Sequence, residues 1–239
     1  MEKNVVVTGA GQGLGNCVVR KSLEEGFRVN AVDRTITEEL NSLKNRYPEQ
    51  LEVLRCDISS MADVDRTGEF IKAHTKRIDI LYNIAGIYRF CDKVGLADTN
   101  MESEAFLTMY DVNAVGPLRM CKVLADRLGG GSVIINISSE AGSIGSCWRT
   151  QEYAYCMSKA ALNMGAKILS NELKDRDIRI FNLHPGWLKT SMGGEEAMKS
   201  EEAVTPEESA EHIMQIAEHP ETVPKDRMFM EYTMEPLVW

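Results

Sequence analysis

Tyr155 and Lys159 stand four positions apart in Tyr155-Cys156-Met157-Ser158-Lys159, at the start of an alanine-rich stretch of helical period. That spacing puts both side chains on one face of a helix, a few ångströms apart. A phenol with pKa near 10 exchanges protons poorly at neutral pH. To act as acid or base it needs a downward shift of about three units, or ~4 kcal/mol. One positive charge about 5 Å away, at an effective dielectric near 20, contributes ~3 kcal/mol. Lys159 is expected to be that charge, and a cationic ring bound beside it would add to the shift. Alone, Y-x-x-x-K also arises as a surface pair in many helices. Here it follows an apolar run ending Asn136-Ile137-Ser138-Ser139, and the carboxyl end of such a strand is where doubly wound folds put ligands.

A second constellation lies near the N-terminus. Thr8-Gly9-Ala10-Gly11-Gln12-Gly13-Leu14-Gly15 closes one apolar run and opens a helical one. Glycines at such a turn let the chain bend sharply and admit a diphosphate against the helix N-terminus, where free N–H groups and the positive dipole end favour anions. The pattern is T-G-x-x-x-G-x-G, from Thr8, Gly9, Gly13 and Gly15; it is not G-x-G-x-x-G, and no Walker lysine follows. Asp33 ends the second apolar run, 18 residues past Gly15. There a carboxylate accepts both hydroxyls of an adenosine ribose and repels a 2′-phosphate. Asp33 therefore predicts NAD(H) as the preferred cofactor, while Arg34 beside it keeps NADP(H) possible. Asp57, followed by Ile58, ends the third run, where it would meet the adenine amino group or, with Ser59, N-cap the next helix.

These residues need a frame. Strand-like runs at Val5–Thr8, Val29–Val32, Leu51–Leu54, Ile78–Tyr82, Val133–Ile137 and Ile178–Leu183 are short and apolar on both faces, as in a buried parallel sheet. Between them lie amphipathic stretches, Leu14–Glu25, Glu38–Tyr47, Met61–Thr75, Met101–Leu128 and Tyr153–Leu173. Strand and helix in alternation predict an α/β, three-layer, doubly wound parallel sheet of Rossmann type. The chain has 239 residues, 44% of them hydrophobic, and no linker divides it, so a single domain is expected. The six cysteines form no C-x-x-C pair and the four histidines no metal spacing, which predicts reduced thiols, no metal and a cytoplasmic setting. The start of the chain has no signal-peptide pattern and no segment has the apolar length of a membrane span. A net charge of −9 argues against nucleic-acid and membrane-surface partners.

Together the motifs resemble the short-chain dehydrogenase/reductase family in its compact single-domain branch, almost end to end. Besides the glycine turn, Asp33 and Asp57, the segment Asn83-Ile84-Ala85-Gly86 is similar to the family's N-N-A-G strand end, with Ile84 in place of the second Asn. Pro185-Gly186-Trp187-Leu188-Lys189-Thr190 resembles the P-G-x-x-x-T segment that binds the nicotinamide amide. The resemblance is closest to the C-factor and sniffer-type carbonyl reductases, through Ser138–Gly145, Ser158–Met164, His184–Gly194 and the terminal Trp239.

It implies a catalytic set of Asn113, Ser139, Tyr155 and Lys159, with Asn113 holding a proton-relay water near the lysine. Cofactor contacts are implied from Gly9, Gly11, Gln12, Gly13, Leu14, Gly15, Asp33, Arg34, Asp57, Ile58, Asn83, Ala85, Gly86, Tyr155, Lys159, Pro185, Gly186, Trp187, Leu188 and Thr190. Ser139 precedes Tyr155 by 16 residues, more than the family usually shows, which marks Ser146–Glu152 as a small insertion. It leaves Ser138 and Ser143 as secondary candidates for the serine. Sniffer-type members use NADP(H), against the reading of Asp33.

The expected reaction is hydride transfer between a nicotinamide and a carbonyl or carbinol carbon of a small molecule. Substrate recognition is expected from the loops Ile87–Asn100, Glu140–Glu152 and Thr190–Val204. Arg89 and Arg149 there would clamp an anion or simply lie on solvated loops. Two rivals stand beside this reading: a sugar-nucleotide epimerase, for which no room remains after Trp187, and an NAD(H)-binding signal protein without turnover. The family implies a homodimer or homotetramer through Met101–Leu128 and Tyr153–Leu173. Residues 1–190 hold every motif and carry 24 acidic and 24 basic side chains. Residues 191–239 carry 12 acidic and 3 basic ones, so the entire −9 belongs to this segment, read as a substrate lid and a solvated acidic helix near Glu207–Glu218.

Overall fold

The computed structural model describes residues 3–101 and 103–239. Seven parallel strands form one sheet in the order β3-β2-β1-β4-β5-β6-β7. They are β1 (Asn4–Thr8), β2 (Arg28–Asp33), β3 (Leu51–Arg55), β4 (Ile80–Asn83), β5 (Val133–Ile137), β6 (Arg179–His184) and β7 (Phe229–Glu231). The order reverses between β1 and β4, so both carboxyl ends open onto one crevice, the place where doubly wound sheets bind ligands. The three-layer, single-domain α/β architecture expected from the strand–helix alternation is the one found.

Period-two alternation builds the layers. Val5 and Val7 face the side covered by α1 (Gly13–Glu24), α2 (Glu38–Arg46) and α8 (Pro206–Glu218), packing with Leu14, Val18, Leu40, Ile213 and Ile216. Val6, one residue out of phase, faces the other side with Leu81 and Ile134. That side is covered by α3 (Met61–His74), α5 (Gly116–Leu124) and α6 (Tyr153–Glu172), through Ile71, Met120, Leu124 and Ala166. Local sequence starts several helices. Thr37, Ser60 and Thr205 side chains accept from the N–H groups of Leu40, Asp63 and Glu208, and Pro206 follows its cap at N1.

Three expectations are corrected. The stretch read as one helix, Met101–Leu128, is α4 (Glu104–Tyr110), a widened π turn (Asp111–Val115) and then α5. Pro117 is the cause: it has no N–H to give the carbonyl of Asn113, so the turn opens there. The segment Glu207–Glu218 is not a solvated helix. In α8, Ser209, Ala210, Ile213, Met214, Ile216 and Ala217 are buried, and Arg20 and Lys21 of α1 pair with Glu207 and Glu211 at 3.1 and 3.4 Å. The segment after residue 190 also supplies the short helix α7 (Gly194–Lys199) and the edge strand β7, too brief for periodicity to reveal.

Candidate active site

One cleft of about 1280 Å³ runs over the carboxyl ends of the strands. It exceeds the 300–1,000 Å³ or so of an ordinary small-molecule pocket, leaving room for an extended ligand and a second molecule. Its first wall is the glycine turn. Thr8 Oγ1 accepts from the N–H groups of Ile84 and Ala85 at 3.1 and 3.2 Å, tying the end of β1 to the end of β4. A Cβ on Gly15 would lie 2.0 Å from the Gly9 carbonyl oxygen, so only glycine lets α1 begin so close to the turn. Gln12, at the N-cap of α1, makes no side-chain cap, and no acid lies in the first turn. The leading N–H groups of α1 and the positive end of its dipole therefore face the cleft, as a diphosphate requires.

Gly9, Gln12, Gly13, Leu14 and Gly15 line this wall, with Asp33 and Arg34 at its far end. Gly11 contributes its N–H, which donates to Asp33 Oδ2 at 2.8 Å, while the Thr35 N–H donates to Oδ1 at 2.9 Å. The carboxylate is thus held in place at the mouth of the glycine turn. Asp57 and Ile58 also line the cleft, beside Ala85 and Gly86. Asp57 closes a turn onto the Ser59 N–H and hydroxyl, and Ser60 caps α3, so neither Asp57 nor Ser59 does. Asn83 is not among the cleft-lining residues. Its amide donates to Asn136, whose amide donates to Asn182, both at 2.9 Å, in a buried ladder across β4, β5 and β6. The pleat turns this side chain away from the ligand side.

Tyr155, Lys159 and Ser139 meet in the middle of the cleft. The Lys159 ammonium is 5.8 Å from the Tyr155 ring centroid and donates to the Ile137 carbonyl at 2.7 Å. Burial brings its pKa down to about 8. Tyr155 departs from expectation. Burial pushes the phenol up from its ordinary value, against a lowering contribution from the Ser139 hydroxyl. The downward shift foreseen from Lys159 is absent because burial dominates at the phenol and the ammonium is turned to the Ile137 carbonyl. Asn113, in the π turn, accepts from the Ile87 N–H at 2.7 Å and donates to the Ile87 carbonyl and Ser158 hydroxyl at 2.9 and 3.0 Å. A Cβ on Gly86 would lie 3.3 Å from Asn113 Oδ1 and 3.7 Å from Lys159 Nζ, so the strand end threads between them.

The secondary serine candidates are engaged elsewhere. Ser138 donates to Asn163, and Ser143 donates to the Val238 carbonyl. Pro185, Gly186, Trp187, Leu188 and Thr190 line the opposite wall. Trp187 donates its indole N–H to the Gly193 carbonyl at 3.3 Å, packing the loop on itself.

Two residues that sequence reasoning missed organise the rest. Glu140 accepts from the Ser139 hydroxyl at 2.5 Å and from Arg149 at 2.6 Å. Burial of its carboxyl works against ionisation, but His184, Ser139 and Arg149 together hold the pKa down at about 2. Arg149 is neither an open anion clamp nor a solvated loop residue, since its Nε donates to Glu152 at 2.8 Å and both edges are occupied. Arg89 is exposed. Asp92, buried in the loop after β4, takes the N–H groups of Ala154 and Tyr155. It stands in for a local cap, since Glu152, in the left-handed region at φ +67°, makes no side-chain cap, and no sequence pattern near Tyr155 announces it. No helix is long and apolar enough to cross a membrane among the described residues.

The chain is similar to known proteins in sequence and fold. C-signal of Myxococcus xanthus is 34% identical over 125 residues, 52% of this chain and 73% of that protein. The NADPH-bound carbonyl reductase from chicken fatty liver superposes with TM-score 0.87 at 25% identity, covering 100% of this chain and 99% of that one. The carbonyl reductase Sniffer of D. melanogaster does so with TM-score 0.87 at 26% identity, over 100% of both chains. The family model of the short chain dehydrogenases matches residues 3–201. The chain belongs to the short chain dehydrogenase family, on the side of its C-factor and sniffer-like members.

Proposed function

We propose that this NAD(P)(H)-dependent oxidoreductase interconverts a small carbonyl compound and its alcohol, with Tyr155 as general acid and base. The observation that carries the proposal is the meeting of three groups in one cleft: the Tyr155 phenol, the Ser139 hydroxyl and the buried Lys159 ammonium. When bound, the cofactor supplies the carbon that exchanges hydride. The chain's own residues do the rest. The glycine turn and the α1 N-terminus would hold the diphosphate. The Pro185–Thr190 wall would hold the nicotinamide half, and Lys159 the ribose hydroxyls beside it. Ser139 would hydrogen-bond the substrate oxygen while Tyr155 passes a proton to or from it. Lys159, joined by a cationic ring beside the phenol, would reverse the upward pull of burial on Tyr155. Asn113 would support a water path from Lys159 to solvent.

Asp33 would favour NAD(H), since a carboxylate fixed at the end of β2 by the Gly11 and Thr35 N–H groups would repel a 2′-phosphate. Asp33 is the one residue that supports this preference, and the similar carbonyl reductase from chicken fatty liver is NADPH-bound. Residues 1–190 would hold the cofactor and catalytic groups, with the lid drawn from 191–239. A homodimer or homotetramer would cover the apolar side chains exposed on α4 and α6, among them Leu107, Met157, Met164 and Ile168. The alternative reading, a nucleotide-binding signal protein, draws on the likeness to C-signal.

The test is Tyr155→Phe assayed over a carbonyl and alcohol panel with both cofactors. NAD(H) binding should persist while turnover falls at least about 100-fold, within the usual worth of a general acid. Retained turnover would refute the assignment of Tyr155. Tight NADH binding with no turnover of any panel member by the wild type would favour the signal protein.

A further inference from the structure

Ser139 has one hydroxyl proton, and Glu140 takes it. The Oγ–Oε2 distance of 2.5 Å is that of an O–H···O bond to an ionised carboxylate. Ser139 Oγ also accepts from the Ala141 N–H at 3.1 Å, and it lines the cleft together with Tyr155. Glu140 is fixed from its other side, where Arg149 donates to Oε1 at 2.6 Å. Arg149 is anchored in turn by Glu152 at 2.8 Å, and Glu152 accepts from the Tyr88 hydroxyl at 2.6 Å. The Tyr88 ring stands edge-on to the Tyr155 ring, centroids 5.1 Å apart. Contacts therefore leave the serine and return to the tyrosine without a gap. Arg149 and Glu152 belong to the 146–152 segment that the Ser139–Tyr155 spacing marks as extra.

We infer that Glu140 is a positioning residue that makes Ser139 a hydrogen-bond acceptor toward the reacting oxygen, so that the resting site fits an alcohol better than a carbonyl. The inference rests on the reading of Ser139 and Tyr155 as the groups that meet the substrate oxygen. In the resting complex an alcohol can donate its one O–H to a lone pair of Ser139 Oγ, and it turns that proton to Tyr155 only for the transfer. A carbonyl oxygen brings none and would face another acceptor; to receive a hydrogen bond from Ser139 it must first detach that proton from Glu140. The reaction's equilibrium constant ties the forward and reverse kcat/KM values together. Glu140 therefore cannot alter the net direction. It alters how firmly each form is held, and moves the two KM values in opposite senses.

Glu140→Gln separates these roles. The charged Arg149 claims the amide oxygen, which turns the amide N–H group toward Ser139 and frees the serine proton to point into the cleft. With benzyl alcohol and benzaldehyde as probes, KM for the alcohol should rise and KM for the aldehyde fall. Their ratio should change about tenfold, the worth of one ordinary hydrogen bond. Glu140→Asp, which keeps the charge, should recover part of that change.

A second measurement needs no turnover. A proton in so short a charge-assisted bond resonates far downfield of the amides, and the proton NMR spectrum of the full-length wild type should contain it. It should vanish in both Ser139→Ala and Glu140→Gln. Absence of the resonance in the wild type, its survival in Glu140→Gln, or two KM values that move together would each overturn the inference. None of these outcomes bears on Tyr155, which Tyr155→Phe tests separately.

Discussion

Asp92 Oδ2 accepts a hydrogen bond from the Tyr155 backbone N–H at 2.8 Å, across 63 positions of sequence. Its other oxygen accepts from the Ala154 N–H at 3.2 Å, and its own carbonyl accepts from the Glu152 N–H at 3.0 Å. The helix that presents the phenol is thus started by a residue of the loop after β4, and a negative charge lies at the positive end of α6. Asp92→Ala leaves two N–H groups without their acceptor. It should cost about 2 kcal/mol, or ~4–8 °C in Tm for a chain of this size. Because the phenol moves with the first turn of α6, kcat should fall while NAD(H) affinity at the glycine turn stays within about twofold. Thermal melts and cofactor titrations check both halves, and an unchanged Tm would remove Asp92 from this role.

Lys159 is held at a cost to the cofactor-free protein. Its folded pKa is about 8, against an ordinary 10.5. Between those values the unfolded chain binds the proton and the folded chain does not, so stability rises with pH across that window. Below pH 8 the full penalty applies, of order 3 kcal/mol, offset in part by the hydrogen bond to the Ile137 carbonyl. Lys159→Met should therefore raise the Tm of the cofactor-free protein at pH 7 by a few degrees while turnover is lost. At pH 10.5 the gain should disappear. A destabilised Lys159→Met protein at pH 7 would mean that the lysine's packing outweighs its charge.

The strands and the paired tyrosine and lysine were legible because both express a local period: apolar runs of strand length, and a four-residue step on a helix. What stayed hidden depends on contacts between distant segments. Nothing near Tyr155 in sequence indicates Asp92, and Asn83 reads as a ligand contact until the pleat turns it into the ladder with Asn136 and Asn182. The π turn at Asn113 had a visible cause in Pro117, which helical period alone overrides. The Glu140–Arg149 pair fell within a loop read as solvated, since burial of a loop arginine depends on which carboxylates fold beside it.

Asp33 offers a sharp test of cofactor choice. Its carboxylate is oriented by the Gly11 and Thr35 N–H groups, and Arg34 beside it is exposed. Asp33→Ala removes the charge that would repel a 2′-phosphate and leaves Arg34 able to pair with one. The ratio of kcat/KM for NADH over NADPH should drop by about 10- to 100-fold, one to two hydrogen bonds to a charged group. Stability should change little, because the carboxylate is only partly buried. If the wild type already prefers NADPH, Asp33 is not the selecting residue and the preference for NAD(H) fails.

The acidic charge of residues 191–239 divides by location. Glu207 and Glu211 face Arg20 and Lys21 across the α1–α8 contact at 3.1 and 3.4 Å, and Glu218 pairs with Lys3, just before β1, at 3.5 Å. Glu196 and Glu202 instead line the cleft, and Glu195 and Glu201 stand exposed beside them. The first group offsets basic charge within the fold, whereas the second, with Lys199 paired to Glu195 at 3.7 Å, leaves a net negative charge at the edge of the cleft. Replacing Glu195, Glu196, Glu201 and Glu202 with glutamine should lower KM for carboxylate-bearing carbonyls a few-fold and leave neutral substrates unaffected. Exposed charges are screened over about 8 Å at physiological ionic strength, so the effect should shrink at 0.5 M salt. Melting temperature should hold, since none of the four packs against α1. An unchanged KM at low salt would mean the anionic group of such a substrate stays beyond reach of this edge of the cleft, whatever the charge of the segment as a whole.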